Sequence, residues 1–132
     1  MTLNRMISKI VVWALVLPAA VSVVLTGCSR NAAPIAIDAH ALAQAYAEDG
    51  PGSDDRYVGK MLAITGTVKA VGIGGKDGLI TLEGNMKHDI LCTFPNSARA
   101  GIAGLKPHSH VTIVGKFAHE IDDFTMEQCE LR

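Results

Sequence analysis

The sequence predicts a mainly β domain with five strands, one helix in front of them and a short helix between the third and fourth strands. Three observations lead to this fold class. Apolar and polar residues alternate over most of the chain after residue 60, as they do in strands with one buried face. Glycine-rich or polar turns separate these stretches. An alanine-rich stretch with apolar residues at helical spacing precedes them.

The first helix is predicted over residues 39–48. Asp38 is a good N-cap, because its side-chain oxygen can accept a hydrogen bond from a free N–H group of the first helical turn. Leu42 and Tyr46 follow at helical spacing and predict one face packed on the core. The polar, glycine-containing stretch 49–55 predicts the end of this helix and a turn.

Three strands are predicted over the middle of the chain. Residues 60–68 alternate between apolar side chains and polar or small ones. Gly66 interrupts the apolar side, and a glycine inside a strand often marks a bulge or bend, which a small barrel needs in order to close. After the glycine-rich loop 71–78, the second and third strands are predicted over residues 79–83 and 88–94.

The last part of the chain predicts a short helix and two more strands. A polar cap followed by residues 98–102 predicts the helix, and the alternating residues 111–117 predict the fourth strand. The fifth strand is predicted over residues 124–131, but its apolar side chains switch from one face to the other along it. A bulge near Glu127 or Gln128 would bring them onto the same face.

The predicted order is helix, three strands, short helix and two strands. That is the layout of the OB-fold, a five-stranded Greek-key barrel. In such a barrel the third strand lies beside the fifth. We expect this pair to be antiparallel, with cross-strand neighbours about 4.5 to 5.5 Å apart.

Six short segments also carry a family resemblance, which covers residues 37–131. They are Leu42–Tyr46, Arg56–Lys60, Ile64–Val68, Leu91–Phe94, Val111–Gly115 and Gln128–Leu131. With these segments the chain resembles the tRNA_anti-like OB-fold family of bacterial envelope proteins. The resemblance implies the OB-fold, and because the segments are mostly structural it implies no particular activity.

The first 28 residues have the layout of a bacterial export signal. Arg5 and Lys9 form a basic start, residues 10–24 are apolar, and Leu25-Thr26-Gly27-Cys28 follows them. This tetrapeptide resembles the lipobox, in which the cysteine is acylated before cleavage. The alternative is a transmembrane anchor, which needs roughly 20 consecutive apolar residues. It is less favoured because the apolar stretch has fifteen residues with a proline among them.

The sequence therefore predicts a lipoprotein signal peptide over residues 1–27, a lipidated cysteine and tether over 28–37, and an OB-fold domain over 38–132. Palmitate and other acyl chains on Cys28 would bind the lipid bilayer, which is the first predicted partner. Ser29 follows the cysteine in place of aspartate. By resemblance to the sorting pattern of Gram-negative lipoproteins, this favours the outer membrane, with the domain facing the periplasm.

Two cysteines remain if Cys28 is acylated. Cys92 and Cys129 are predicted to form a disulfide bond, because such bonds persist in the oxidising envelope. The bond would close a loop of about 37 residues, for which the chain-entropy model gives on the order of 3 to 4 kcal/mol. The alternative is a pair of buried free thiols that behave as small apolar residues.

Three histidines are the candidates for a metal site. His108 and His110 would project from one face of an extended strand, and His88 begins another strand, so together they could bind zinc or copper. No cysteine or carboxylate lies at ligand spacing beside them, which favours solvated histidines at a strand entrance. No metal and no other cofactor is therefore predicted.

The chain is expected not to be an enzyme. It has no Ser-His-Asp order near a glycine elbow, and Cys92 is expected to be held in the disulfide bond. The glycine-rich residues 72–76 lack the Gly-Lys-Ser/Thr of a phosphate-binding loop. The acidic residues at 120–123 are interpreted as a solvated turn and not as a calcium site.

Composition also argues against nucleic acid as a ligand. Without residues 1–27 the chain has ten basic and thirteen acidic residues, a net charge of −3. Lys60, Lys69 and the other basic residues are scattered among the acidic ones, and few aromatic residues are free to stack on bases. We therefore expect no nucleic-acid partner.

The predicted function is that of a non-catalytic envelope lipoprotein, which presents a small OB-fold binding module to a protein or another envelope partner. The first alternative is a periplasmic metal- or small-ligand-binding lipoprotein. The second alternative is a nucleic-acid-binding OB domain.

Overall fold

The computed structural model describes residues 32–132. Its helices and strands confirm the predicted mainly β class, with a helix in front of the barrel strands and a short helix before the fourth of them. A single 3₁₀ turn, Asn96–Ala98, leads into that short helix. The elements in chain order are β1 (Ile35–Asp38), α1 (Ala39–Glu48), α2 (Gly50–Tyr57), β2 (Met61–Gly72), β3 (Gly78–Leu82), β4 (Ile90–Phe94), α3 (Arg99–Ile102), β5 (His110–Glu120) and β6 (Asp123–Leu131).

Strands β2 to β6 close into the predicted five-stranded barrel, and β1 adds a sixth strand. The order is β1-β2-β3-β4-β6-β5, with β2 also paired to β5. The neighbours β4 and β6 run parallel, with Cys92 opposite Met126, so the antiparallel expectation for this pair was wrong. The reason is topological. Two antiparallel pairings separate β4 from β2 and two others separate β6 from β2, so β4 and β6 run in the same direction as β2.

The apolar side chains of the alternating strands fill the inside of the barrel. Leu62 and Ile64 of β2 are buried, as predicted, and α1 buries Leu42 and Tyr46 against them. The Asp38 carboxylate caps α1 by accepting hydrogen bonds from two backbone N–H groups of its first turn. Every other barrel strand contributes buried apolar side chains to the same core: Ile80, Leu82, Ile90, Phe94, Ile113, Phe117, Phe124 and Met126.

Gly66 is explained by close packing and not by a bulge. A Cβ atom at Gly66 would lie 2.8 Å from the Cβ of Ala39, so a larger residue would push α1 away from the barrel. The pairing of β2 with β5 is regular there, with Gly66 opposite Val111. The irregularity of β2 lies between Val68 and Ala70, where the strand turns to pair with β3.

The bulge predicted in the last strand is confirmed. The register of β6 against β5 shifts between Val114, which pairs with Glu130, and Lys116, which pairs with Glu127. Gln128 lies in this interval with a φ of 52°, a left-handed conformation that is uncommon for residues other than glycine. The extra residue lets apolar side chains on both sides of the bulge face the core.

The predicted turn over residues 49–55 is instead mostly helical, since α2 spans Gly50–Tyr57. Asp49 caps this helix through a 3.0 Å hydrogen bond from the Gly52 N–H to its carboxylate. Pro51 stands in the first turn, where its missing N–H costs nothing. The glycines suggested a turn, but the acidic cap and the proline are the signals of a helix start.

The predicted signal peptide and Cys28 lie outside the described residues. Residues 35–37, at the end of the predicted tether, belong to β1, which runs parallel to β2 with Ile35 opposite Leu62. Within residues 32–132, no helix combines the length and the apolar character needed to cross a membrane.

Candidate functional site

A continuous patch of outward side chains lies on strands β3, β4 and β6. Leu79 pairs with Thr93 and Thr81 with Leu91 across β3 and β4, and Leu91 pairs in turn with Thr125 of β6. Because in-register neighbours point to the same side of a sheet, these five side chains form one surface. Their inward neighbours are buried in the core, whereas these five remain partly or largely open to solvent.

A groove of about 350 Å³ crosses this patch at one end. We call it the outer groove. Its floor consists of strand residues from β3, β4 and β6, and its rim consists of the loop 83–89 and the turn between β5 and β6. The residues that line it are Thr81, Lys87, His88, Asp89, Leu91, Asp122, Asp123, Phe124 and Thr125. The sequence predicts these residues in strands or turns, and alternation along the strands is the sequence signal for the outward residues of the groove floor.

Side chain and backbone contacts hold the loop 83–89 in one shape. The Asn85 side-chain oxygen accepts hydrogen bonds from the N–H groups of Lys87, at 2.9 Å, and His88, at 2.8 Å. The Asn85 N–H donates to the His88 carbonyl at 2.9 Å. This arrangement is a turn stabilised by an asparagine side chain. Hydrogen bonds within the protein therefore hold this part of the rim in place.

His88 joins the two rims of the outer groove. Its Nδ1 lies 3.0 Å from the carbonyl oxygen of Asp122, in the turn between β5 and β6. Its ring packs on Phe124 with 4.8 Å between ring centroids. These contacts give His88 a structural role at the groove.

The outer groove is mainly acidic. Lys69 forms an ion pair with Asp89, and this hydrogen bond raises the pKa of the Lys69 ammonium group. The charges of Lys69 and Asp89 neutralise each other. The remaining charged residues of the rim are Lys87, Asp122 and Asp123, so the net charge of the groove is negative.

A second polar cluster, which sequence analysis missed, joins α2 to β5. His119 Nδ1 lies 2.8 Å from an Asp54 carboxylate oxygen, and this hydrogen bond lowers the pKa of Asp54. Tyr46 packs on the edge of the His119 ring with 4.7 Å between centroids. The Tyr46 hydroxyl has no hydrogen-bond partner among residues 32–132. Burial raises the pKa of Tyr46 well above the ordinary value, and the nearby Asp54 carboxylate adds to the rise.

The two domain cysteines lie together in the core. Cys92 and Cys129 are both buried and are free thiols in the structure. The neighbouring Cys129 thiol, together with burial, raises the pKa of Cys92, whose Sγ lies 3.9 Å from the sulfur of Met126. Cys129 also lines a cavity of about 490 Å³ between α3 and β6. The thiols are thus close to one another, and the disulfide bond stays a prediction.

The three candidate histidines do not form a single cluster. His88 lies at the outer groove, whereas His110 begins β5, with its Nδ1 3.5 Å from the Thr67 hydroxyl. His108 precedes that strand with a φ of 72°. In the part of the chain that the structure describes, no three histidine, cysteine or acidic residues are grouped so that they could hold a metal ion.

The chain belongs to the tRNA_anti-like family, whose model matches residues 1–131. This confirms the resemblance given by the six short segments. The comparison with curated proteins finds no match. The family, together with the closed barrel, defines the class of the protein as a tRNA_anti-like OB-fold domain.

Two solved structures with the same fold are similar to this chain. One is a lipoprotein of Klebsiella pneumoniae subsp. pneumoniae MGH 78578, provisionally described as nucleic acid-binding. It is 16% identical, with a TM-score of 0.61, and the match covers 75% of this chain and 92% of that one. The other, provisionally described as an aspartyl-tRNA synthetase from Leishmania major Friedlin, is 12% identical with a TM-score of 0.54. That match covers 75% of this chain but 21% of the synthetase.

These neighbours correct the expectation that nucleic acid is not a partner. The expectation rested on the net charge, on the scattered basic residues and on the few aromatic residues free to stack, and it was wrong to treat these as excluding such a ligand. The Klebsiella protein is a lipoprotein of the same fold and is described as binding nucleic acid. Net charge sums over the whole surface, whereas a ligand contacts one face of the barrel, so the sum does not decide the ligand.

Proposed function

We propose that the protein is a lipid-anchored binding module of the bacterial envelope, which holds its ligand in the outer groove. The Leu25–Cys28 tetrapeptide supports export and acylation of Cys28. Similarity to a lipoprotein from Klebsiella pneumoniae supports the same location. Ser29 after the cysteine supports placement in the outer membrane, with the barrel facing the periplasm.

The outer groove is the observation that carries the binding function. Leu91 is 37% exposed at the centre of a surface of threonine and leucine side chains, which offers both apolar contact and hydroxyl groups to a ligand. Asn85 and His88 hold the rim in place through hydrogen bonds within the protein. A preformed site loses less conformational entropy on binding.

Binding without catalysis is part of the proposal. Three potential nucleophiles of the domain, Ser53, Cys92 and Cys129, are buried and so removed from solvent. The His119 and Asp54 pair resembles part of a hydrolase triad, but Ser53 has no hydrogen-bond partner in the described residues and so is not activated by His119.

A protein or another envelope component is the first ligand class, because the acidic rim complements basic groups. Single-stranded nucleic acid is the second class, and the description of the Klebsiella neighbour favours it. Lys69 and Lys87 at the edge of the groove are the cations that would contact phosphate.

The test compares the substitutions Leu91→Glu and Val58→Glu in the full-length lipoprotein. Val58 is a matched control, because it is apolar and 40% exposed but does not line the outer groove. Chemical crosslinking in intact cells, followed by mass spectrometry, should give the same partners for the wild type and for V58E. L91E should lose them while keeping its thermal midpoint. Retention of every partner in L91E would place the ligand site elsewhere.

Fluorescence anisotropy distinguishes the two ligand classes. The probes are labelled single-stranded DNA and RNA at about 150 mM salt, where non-specific binding weakens to about 10⁻⁴ to 10⁻⁶ M. Saturable binding tighter than this range, lost in L91E and kept in V58E, would make nucleic acid the ligand of the groove. Binding that L91E leaves unchanged would show that nucleic acid binds outside the outer groove.

A further inference from the structure

Two large apolar side chains project into solvent at the rim of the outer groove. Met86 is fully exposed, and Ile121 is 92% exposed. Met86 belongs to the loop 83–89 and Ile121 to the turn between β5 and β6, the two segments that the hydrogen bond between His88 and Asp122 joins. Neither side chain buries apolar surface in the barrel, so the core does not account for them.

Ile121 also has an unfavourable backbone conformation. The turn between β5 and β6 has two residues, Ile121 and Asp122, enclosed by the pair Glu120 and Asp123. Such turns need a positive φ, which glycine, asparagine or aspartate usually supplies. Ile121 adopts a φ of 56°, although a β-branched side chain is disfavoured there. The position therefore has an isoleucine that neither the core nor the turn requires.

The charges around the two side chains are mostly negative. Glu120, Asp122 and Asp123 surround Ile121 in sequence, and Lys87 is the neighbour of Met86. Asp89 is neutralised by Lys69. A partner that fits this surface has apolar side chains to contact Met86 and Ile121, with basic groups beside them to pair with the carboxylates.

We infer that Met86 and Ile121 are the two apolar contacts of a docking surface for a basic polypeptide segment, whose lysine or arginine side chains pair with Asp122 and Asp123. The inference rests on the proposed binding function and specifies its partner. Asn85 and His88 hold both contact residues in place, which lowers the entropic cost of docking. Methionine adapts its shape to different apolar partners.

The experiment places a photo-crosslinking amino acid at position 86, 91, 121 or 106 of the full-length lipoprotein in intact cells. Lys106 is an exposed residue in the loop after α3 and serves as the control position. Positions 86 and 121 should crosslink to the same polypeptide segment, and its sequence should combine basic with apolar residues. A double charge reversal, Asp122→Lys with Asp123→Lys, should reduce the yield from position 86 by about tenfold.

A second variant separates binding from folding. Ile121→Asn replaces a strained residue by one that accepts the left-handed conformation, so the thermal midpoint should stay the same or rise. The same change removes an apolar contact, so the crosslinking yield from position 86 should fall by about tenfold. An unchanged yield in I121N would overturn the role of Ile121.

The other outcomes are also decisive. Nuclease-sensitive crosslinks at positions 86 and 121, crosslinks to lipid, or yields no higher than at position 106 would overturn the basic polypeptide as occupant. A crosslink at position 91 alone would contradict this inference and leave the proposed groove function standing. If position 91 also gave no crosslink, the proposed function would fail with it.

Discussion

The two ends of the barrel are closed in different ways. At the α1 end, Tyr46 packs against Phe117 and Phe124 with ring centroids 5.9 Å and 4.7 Å apart. At the α3 end, Ile102 reaches the first residue of β3, and a solvent-open cleft of about 490 Å³ lies between α3 and β6. The α1 end is thus filled by interlocking rings, whereas the α3 end has free space beside its buried residues.

This difference shows which end determines the fold and which end tolerates change. Well-packed residues lose many contacts when they are truncated, and their neighbours cannot move to compensate. Beside an open cleft, neighbouring side chains have room to shift after a truncation. We therefore expect equal substitutions to cost more at the α1 end than at the α3 end.

The largest expected effect comes from truncating matched buried residues at the two ends. Leu42 of α1 and Ile102 of α3 have side chains of equal carbon number, and both are fully buried. Leu42→Ala should lower the free energy of unfolding by about 4 kcal/mol and Ile102→Ala by about 2 kcal/mol, within the range for such truncations. Urea denaturation measures both, and a larger loss for I102A would reverse the comparison.

The second effect concerns the cysteine pair near the α3 end. If Cys92 and Cys129 are joined in the exported protein, reduction should lower the free energy of unfolding by about 2 to 4 kcal/mol. Such a bond would compensate for the looser packing of that end. Alkylation of the unreduced protein should find neither thiol of the pair free. Two alkylated thiols would show that the α3 end is stable without a covalent link.

The third effect compares two glycines that face the helices. A Cβ at Gly66 would lie 2.8 Å from the Cβ of Ala39, which cannot rotate away. A Cβ at Gly78 would meet the flexible end of the Ile102 side chain, which has the cavity beside it. Gly66→Ala should cost about 1 to 3 kcal/mol, as overpacking does, and Gly78→Ala less than about 1 kcal/mol. Equal costs, measured by urea denaturation, would remove the distinction between the ends.

The smallest effect is the pH dependence of the hydrogen bond between Asp54 and His119. The hydrogen bond from His119 lowers the pKa of Asp54 in the folded state. A carboxyl group of this kind stabilises the fold above its unfolded pKa, about 3.9, and loses that contribution as the pH falls through the lower folded value. The stability difference between the wild type and Asp54→Asn should therefore disappear in acid.

Urea midpoints at about pH 7, 5 and 3 measure this difference. Glu48→Gln is the control variant, because Glu48 is an exposed carboxylate on α1 whose side chain contacts Gln44 and no histidine. A difference between the wild type and D54N that grew towards acid would contradict the lowered pKa.

Local patterns in the sequence were enough to predict α1 with its Asp38 cap, the five barrel strands and the bulge of β6. Each depends on residues close together in the chain, such as the switch of apolar faces around Gln128. The helix α2 was not predicted although its signals are also local. Gly50 and Gly52 on either side of Pro51 indicate a turn, whereas Asp49 is the cap of a helix.

The candidate site was less predictable, because it depends on contacts between distant segments. Asp54 and His119 are 65 residues apart, and His88 meets Asp122 across 34 residues. Alternation within one strand is a local pattern, but only the strand order places Thr81 and Leu91 next to Thr125 of β6. The exclusion of nucleic acid failed for a related reason, since composition does not say which charges share a face.

The measurement that tests the central claim most directly is hydroxyl-radical footprinting of the full-length protein, in intact cells and after purification in detergent. Our account predicts that Leu91, at the centre of the outer groove, is labelled more slowly in cells than in the purified protein. Val58, which is similarly exposed at 40% and does not line the outer groove, should be labelled equally in both states. Equal labelling of Leu91 in both states, or protection of Val58 alone, would contradict the outer groove as the ligand site.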